Sequence, residues 1–187
     1  IQHVTEVFEQ VDVATAAFAQ ASGLRCPEGC GKCCENPFNI AATPAELAPV
    51  AQFLIQTEQA ETFLARVAQD TSGACVFYEP HPDSQGKGRC GMYQHRPLVC
   101  RLFGFAATRD KHARPRLAAC TIHRQTQPDL VAIAEANVAS GRLTAPIFSD
   151  ALASVAALSP YPLEMNDALG VALQRALWRA SLSDSDE

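Results

Sequence analysis

Hydrophobic positions recur at three- and four-residue intervals over residues 3–21. Val4, Phe8, Val11, Ala14 (or Thr15) and Phe18 alternate there with Glu6, Glu9, Gln10 and Asp12. That period predicts an amphipathic helix, and Ser22-Gly23 supplies its stop. Thr43-Pro44-Ala45-Glu46 reads as a second helix start, with Thr43 as cap, Pro44 in the first turn and Glu46 completing a capping box. Pro49 then kinks the helix or forces a restart near Val50. From there the helix runs to about Asp70, with Phe53, Leu54, Phe63, Leu64 and Val67 as its buried stripe. Ala74–Tyr78 is an apolar run suited to an extended segment, and Glu79–Gly88 reads as a surface loop. Pro97 starts a short helix or turn that carries Cys100 and Arg101, and Ala106–Arg116 is a polar, basic excursion. Three helices close the chain: 128–140 (Leu130, Val131, Ile133, Ala134, Val138) ended by Gly141, a weaker one over 146–158, and 162–180. The last carries Leu163, Leu169, Leu173, Leu177 and Trp178, and the acidic tail from Ser181 to Glu187 frays. Phe38 and Ile40 read as core. The expected fold is mainly α: a single helical domain over residues 1–187, with irregular cysteine-rich loops and little or no sheet.

Composition agrees with a globular chain. It has 187 residues, 48% of them apolar, long enough for a core without covalent staples. No apolar run approaches the ~20 residues of a membrane span, and the acidic, helical N-terminus does not read as a signal peptide. The chain as given lacks an initiator Met, which leaves its native start open.

The densest chemistry lies in Cys26-Pro-Glu-Gly-Cys30-Gly-Lys-Cys33-Cys34, four thiols within nine residues spaced by turn formers. Cys75, Cys90, Cys100 and Cys120 follow. An even count allows disulfides, yet those staple short secreted chains without cores. Adjacent cysteines such as Cys33 and Cys34 do not bridge each other without strain. A thiolate-bound metal is the favoured reading, and a reducing compartment, the cytoplasm, follows as the expectation. His81, in a loop, reads as solvent-facing. His95 reads as structural or surface, and Tyr93 either hydrogen-bonds across the site or fills core space.

Charge is uneven. Lys87, Arg89, Arg96, Arg101, Arg109, Lys111, Arg114, Arg116 and Arg124 are opposed within their own segment only by Asp110, while the whole chain carries −5. Guanidinium groups near a thiolate cluster lower the cost of its negative charge. A patch for nucleic acid or an acidic protein partner is the less favoured alternative, since no nucleic-acid motif accompanies it.

Sulfur ligands select zinc, cuprous copper or iron–sulfur clusters. Four thiolates close a tetrahedral, structural zinc site, and Zn²⁺ is the favoured ion. An iron–sulfur cluster, such as 4Fe-4S, is the alternative. It would use Phe38, Phe77, Tyr78, Tyr93, Phe103 and Phe105 as a dry shell. The triplet Cys26-x3-Cys30-x2-Cys33 also equals that of radical S-adenosylmethionine enzymes, whose large partial barrel this chain cannot supply. No catalytic residue stands out.

Cys26-x3-Cys30-Gly31-x-Cys33-Cys34, then Cys75, then Cys90-x2-Tyr93-x2-Arg96-Pro97-x2-Cys100-Arg101, then Cys120, resembles the YkgJ-like cysteine-cluster family. That family is also known as the CxxCxxCC zinc- or iron-chelating domain. The resemblance spans about Cys26–Arg124, with one extra residue in the first gap, and the helices of 125–187 lie outside it. It implies metal binding by all eight cysteines, and it alone brings Cys75 and Cys120 into the ligand set. Some relatives are flagellin lysine N-methylases. The expected function is therefore a cysteine-thiolate metal-binding protein, zinc ahead of iron–sulfur. An iron–sulfur redox or methyl-transfer enzyme is the alternative, and metal trafficking or storage a further one.

Overall fold

The computed structural model describes residues 1–35, 40–82, 87–156, 158–159 and 161–183. The N-terminal period forms α1 (Gln2–Ser22), ended as expected by Gly23 at φ +74°. In chain order there follow α2 (Lys32–Glu35), β1 (Ala41–Ala42), α3 (Ala48–Gln56), α4 (Ala60–Gln69), β2 (Tyr78–Pro80) and β3 (Gly88–Cys90). A 3₁₀ turn (Tyr93–His95) leads to α5 (Leu98–Leu102), β4 (Ala107–Arg109), β5 (Pro115–Leu117), α6 (Thr121–Thr126) and α7 (Pro128–Ala139). The chain ends with α8 (Phe148–Ala156), β6 (Leu163–Glu164) and α9 (Met165–Ser183). The protein is mainly α, and its strands pair only as the two-stranded antiparallel ribbons β1–β6, β2–β3 and β4–β5 among the described residues.

The chain packs as two units. One comprises Gln2–Glu28 and Leu98–Ala157. Here Val4, Val7, Phe8 and Val11 of α1 meet Leu98 and Leu102 of α5 and Val155 of α8. Arg101 of α5 lies over the Phe8 ring, 4.4 Å from its centroid, and pairs with Asp12, so one buried cation fixes α5 on α1. Further along, Phe18 and Leu24 pack with Leu117 and with Val131, Ala134 and Val138 of α7. The expected basic excursion is the β4–β5 hairpin, with Ala107 opposite Leu117.

The other unit comprises Gly29–Pro97 and Leu158–Glu187. Leu47, Val50, Ala51 and Leu54 around α3, and Ala60 and Phe63 of α4, are buried together with Ala168, Leu169, Ala172 and Leu173 of α9. The β1–β6 ribbon pairs Ala41 with Glu164 at the head of α9.

Several expectations are corrected. The helix expected to run from Val50 to Asp70 is two helices. Thr57 turns its amide (3.0 Å) and hydroxyl (2.9 Å) back onto the Phe53 carbonyl, and Glu58 takes a left-handed φ of +57°, ending α3. The Thr43 capping box closes, the Thr43 amide donating to Glu46 Oε2 at 2.8 Å, but on a turn. Helix α3 begins later, and Pro49 sits in its first turn, where a missing N–H costs nothing. Of Ala74–Tyr78 only Tyr78 is extended strand. Leu130, Ile133, Leu163 and Trp178 face solvent, so they form no part of the core. Ile40 is buried as expected; Phe38 lies outside the described residues.

The β4–β5 turn is closed by one carboxylate. Asp110 accepts the amides of His112 (2.8 Å) and Arg114 (3.0 Å), with the Arg114 and Arg116 guanidiniums at 3.5 and 3.4 Å. The Arg114 amide first, then the neighbouring donors, hold its carboxyl below the ordinary 3.8. A carboxyl lowered on folding adds stability above its unfolded value and loses it as pH falls through the folded one. Amide protection in this hairpin, corrected for intrinsic exchange, should therefore hold from neutrality to about pH 4 and fall below it. Asp110→Asn should remove the acid step; the same step in that variant would show that another group controls the turn.

Candidate metal centre

Glycine is what allows the cysteine loop to close. A Cβ on Gly31 would come within 2.5 Å of the Tyr78 ring and 3.0 Å of the Gly88 carbonyl carbon, and one on Gly88 within 2.3 Å of the same ring. The two bare backbones thus approach Tyr78 more closely than any side chain permits. Backbone bonds complete the attachment. Gly88 donates to the Gly29 carbonyl at 2.9 Å, and Cys34 and Glu35 donate to the Gly31 carbonyl at 2.9 Å, winding α2. Cys75 donates to the Cys34 carbonyl at 2.9 Å, while Cys90 stands opposite Tyr78 in the β2–β3 ribbon.

Three chain segments consequently deliver thiols to one place. Cys33 Sγ and Cys34 Sγ are 4.0 Å apart. Cys34 also hydrogen-bonds the Cys90 thiol, and Cys75 lies close enough to interact electrostatically with Cys33, Cys34 and Cys90. Cys34 and Cys75 are buried; Cys33 and Cys90 are half-buried. Hydrogen bonding from Cys34 brings the Cys33 and Cys90 thiols down to about 7, with Arg96 assisting both. As their donor, Cys34 is pushed upward, and burial pushes Cys75 up to about 12. Two sulfurs therefore lean toward thiolate while two hold their protons.

The remaining ligand candidates are distributed as follows. Cys30 is half-buried just before Gly31 in the same unit. Cys26, Cys100 and Cys120 belong to the unit of α1, so the opening four-thiol motif is divided between the two units. Cys26 Sγ is 3.7 Å from His123 Nε2, and Cys120 Sγ caps α6 by accepting the His123 amide at 3.3 Å. Cys100 is half-buried on α5. None of the eight is in a disulfide. Among the described residues, no three His, Cys, Asp or Glu side chains already converge as ligands of one ion. What fits a metal is the chemistry of the donors and their spacing. Two sulfurs on one tetrahedral zinc, each about 2.3 Å from it, stand about 3.8 Å apart, close to the Cys33–Cys34 separation.

His95 stacks on Phe53, ring centroids 4.3 Å apart, a packing contact. His81 is exposed. Tyr93 neither crosses the site nor fills core: it is exposed, with Arg96 stacked 3.5 Å from its centroid. Among the described residues, six of the nine basic residues of that segment pair with carboxylates: Arg89 with Glu79, Arg101 with Asp12, Arg109 with Asp150, Arg114 and Arg116 with Asp110, and Arg124 with Glu135. The charge of Arg96 acts on Cys33 and Cys90, and that of Arg66 on Cys75, each favouring the thiolate.

Sequence reasoning passed over His123, the one histidine with no exposed surface. The spacing Cys120-x2-His123 was the available signal. Burial lowers its pKa, against a smaller opposing effect of the Gly104 backbone, so the ring is held neutral.

Comparison with known proteins identifies a family. The family model described as "CxxCxxCC: Putative zinc- or iron-chelating domain" covers residues 25–146. No curated protein and no solved structure matches the chain. No helix among the described residues is long and apolar enough to cross a membrane.

Gly31→Ala should cost about 2 kcal/mol in urea denaturation, because the added methyl collides with ring and backbone at once. Stability within about 0.5 kcal/mol of the parent would mean that the close approach is not what holds the loop.

Proposed function

Because the chain belongs to the CxxCxxCC zinc- or iron-chelating family, we propose that it holds a metal ion through cysteine thiolates, with Cys33, Cys34, Cys75 and Cys90 as the principal ligands. The observation that carries this reading is the meeting of thiols from three separate segments at Cys34. Chance rarely buries several thiols in mutual contact, and soft sulfur donors discriminate against magnesium and calcium.

Zinc is the preferred ion, in a structural role. Four thiolates complete its coordination and leave no position for substrate. The short elements around the site, four residues in α2 and three in each of β2 and β3, need cross-linking more than they need chemistry.

One observation favours a second reading, an iron–sulfur redox or methyl-transfer enzyme. A cavity of about 380 Å³ lined by Arg66, Asp70, Ser72, Cys75 and Tyr78 reaches the thiol group and offers a substrate both charges.

Metal analysis of protein purified without oxygen distinguishes the two. Colourless protein with bound zinc supports the first reading; brown protein with iron and sulfide supports the second. Cys33→Ser and Cys75→Ser should each lower metal content and destabilise the fold by about 4 kcal/mol, since binding energy here is folding energy. Unchanged metal content in both variants would contradict the assignment. His95→Ala should leave metal content intact, losing only its stacking on Phe53; a loss of metal would place His95 among the ligands.

A further inference from the structure

The thiols in the unit of α1 pose a separate question. His123 has no exposed surface, and its buried Nδ1 lies on the side of the Gly104 backbone, so Nε2 is the ring nitrogen that a ligand would meet. That nitrogen faces Cys26 Sγ at 3.7 Å. An ion about 2.05 Å from an imidazole nitrogen and about 2.3 Å from a sulfur, in tetrahedral geometry, sets those two atoms about 3.6 Å apart.

The surroundings hold the ring in that pose. Phe105 meets it edge-on at 5.0 Å between centroids. Gly104, at φ +81°, lays bare backbone against it: a Cβ there would stand 3.1 Å from His123 Cε1, 3.3 Å from Nδ1 and 3.4 Å from Cys120 Cβ. The same glycine thus touches both members of the Cys120-x2-His123 pair. Cys120 is the N-cap of α6, and its Sγ accepts the His123 amide at 3.3 Å, which ties the thiol to the backbone of the residue that carries the ring. Cys26 reaches the ring from a distant part of the sequence, its neighbour Arg25 tied to Gln127 by two hydrogen bonds of 3.1 and 2.6 Å.

We infer that His123 is a metal ligand, forming with Cys26 and Cys120 a mixed thiolate–imidazole site distinct from the Cys33, Cys34, Cys75 and Cys90 group. This rests on the thiolate reading above and deepens it. The chain then divides its ligands between its two units, one set all sulfur and the other sulfur and nitrogen. Cys100, on α5, is the remaining cysteine of the same unit. The site takes a borderline divalent ion such as zinc, which accepts imidazole and thiolate together.

X-ray absorption at the zinc edge of the full-length, zinc-reconstituted chain tests this without any substitution. The expected result is a mixed sulfur–nitrogen shell with the outer-shell scattering of an imidazole ring. His123→Cys should keep the zinc and abolish the imidazole scattering, while His123→Asn should lose about half of the bound zinc. An all-sulfur shell in the parent overturns the inference while leaving the cysteine assignment standing, and so does imidazole scattering that persists in His123→Cys. A parent chain that retains no zinc sinks both.

Discussion

The grip of two glycines on one tyrosine ring is the constraint from which the cysteine region is built. Gly31 and Gly88 bring the thiol loop and the β2–β3 ribbon together through the Tyr78 ring at distances a methyl group would forbid. Once that contact is made, the hydrogen bonds have little freedom. Gly29 must meet Gly88, Gly31 must wind α2, and Cys75 must bond the Cys34 carbonyl. The positions of Cys34, Cys75 and Cys90 are consequences of this geometry, not independent choices.

Electrostatics then decides what such a group can do. Hydrogen bonds from Cys34 favour the thiolates of Cys33 and Cys90, while Cys34 as their donor and Cys75 through burial keep their protons, with repulsion between the sulfurs a smaller contribution. A divalent cation reverses the balance by offering each sulfur a partner stronger than a proton. Arg96 and Arg66 contribute in the same direction, and they act on these thiols while Arg89, Arg109 and Arg124 are committed to carboxylates. The excess of arginine between residues 87 and 124 is therefore mostly surface pairing, with charge compensation confined to a small part of it.

Periodicity made the helices legible because burial on one face repeats every turn. The α1 stripe of Val4, Phe8, Val11 and Phe18 is buried as its spacing requires. The break between α3 and α4 was not legible, since it depends on a threonine turning back onto a carbonyl and on a left-handed glutamate, neither of which has a strong local signature. Trp178 shows the opposite error, an apolar residue in register that is 64% exposed. The thiols were legible as donors but not as sets. Spacing along the chain reports how many ligands a loop can present. It does not report which unit each will join, and Cys26 and Cys30, four residues apart, go to different ones.

That division explains why His123 escaped attention. Eight cysteines satisfy two four-ligand sites arithmetically, and the count leaves no vacancy for nitrogen. Partition between two units changes the sum. One unit holds Cys30, Cys33, Cys34, Cys75 and Cys90, and the other only Cys26, Cys100 and Cys120. A unit with three sulfurs has a tetrahedral set one donor short, and the buried imidazole beside Cys26 is the donor of the right chemistry in the right place. The elements involved reinforce the argument. Helices α2 and α5 span four and five residues, too short to be stable by their own hydrogen bonds, and such elements persist where something binds them at their ends. On the proposed assignment, Cys33 and Cys34 within α2 and Cys100 within α5 would supply that binding, and the chelating residues would also be folding residues.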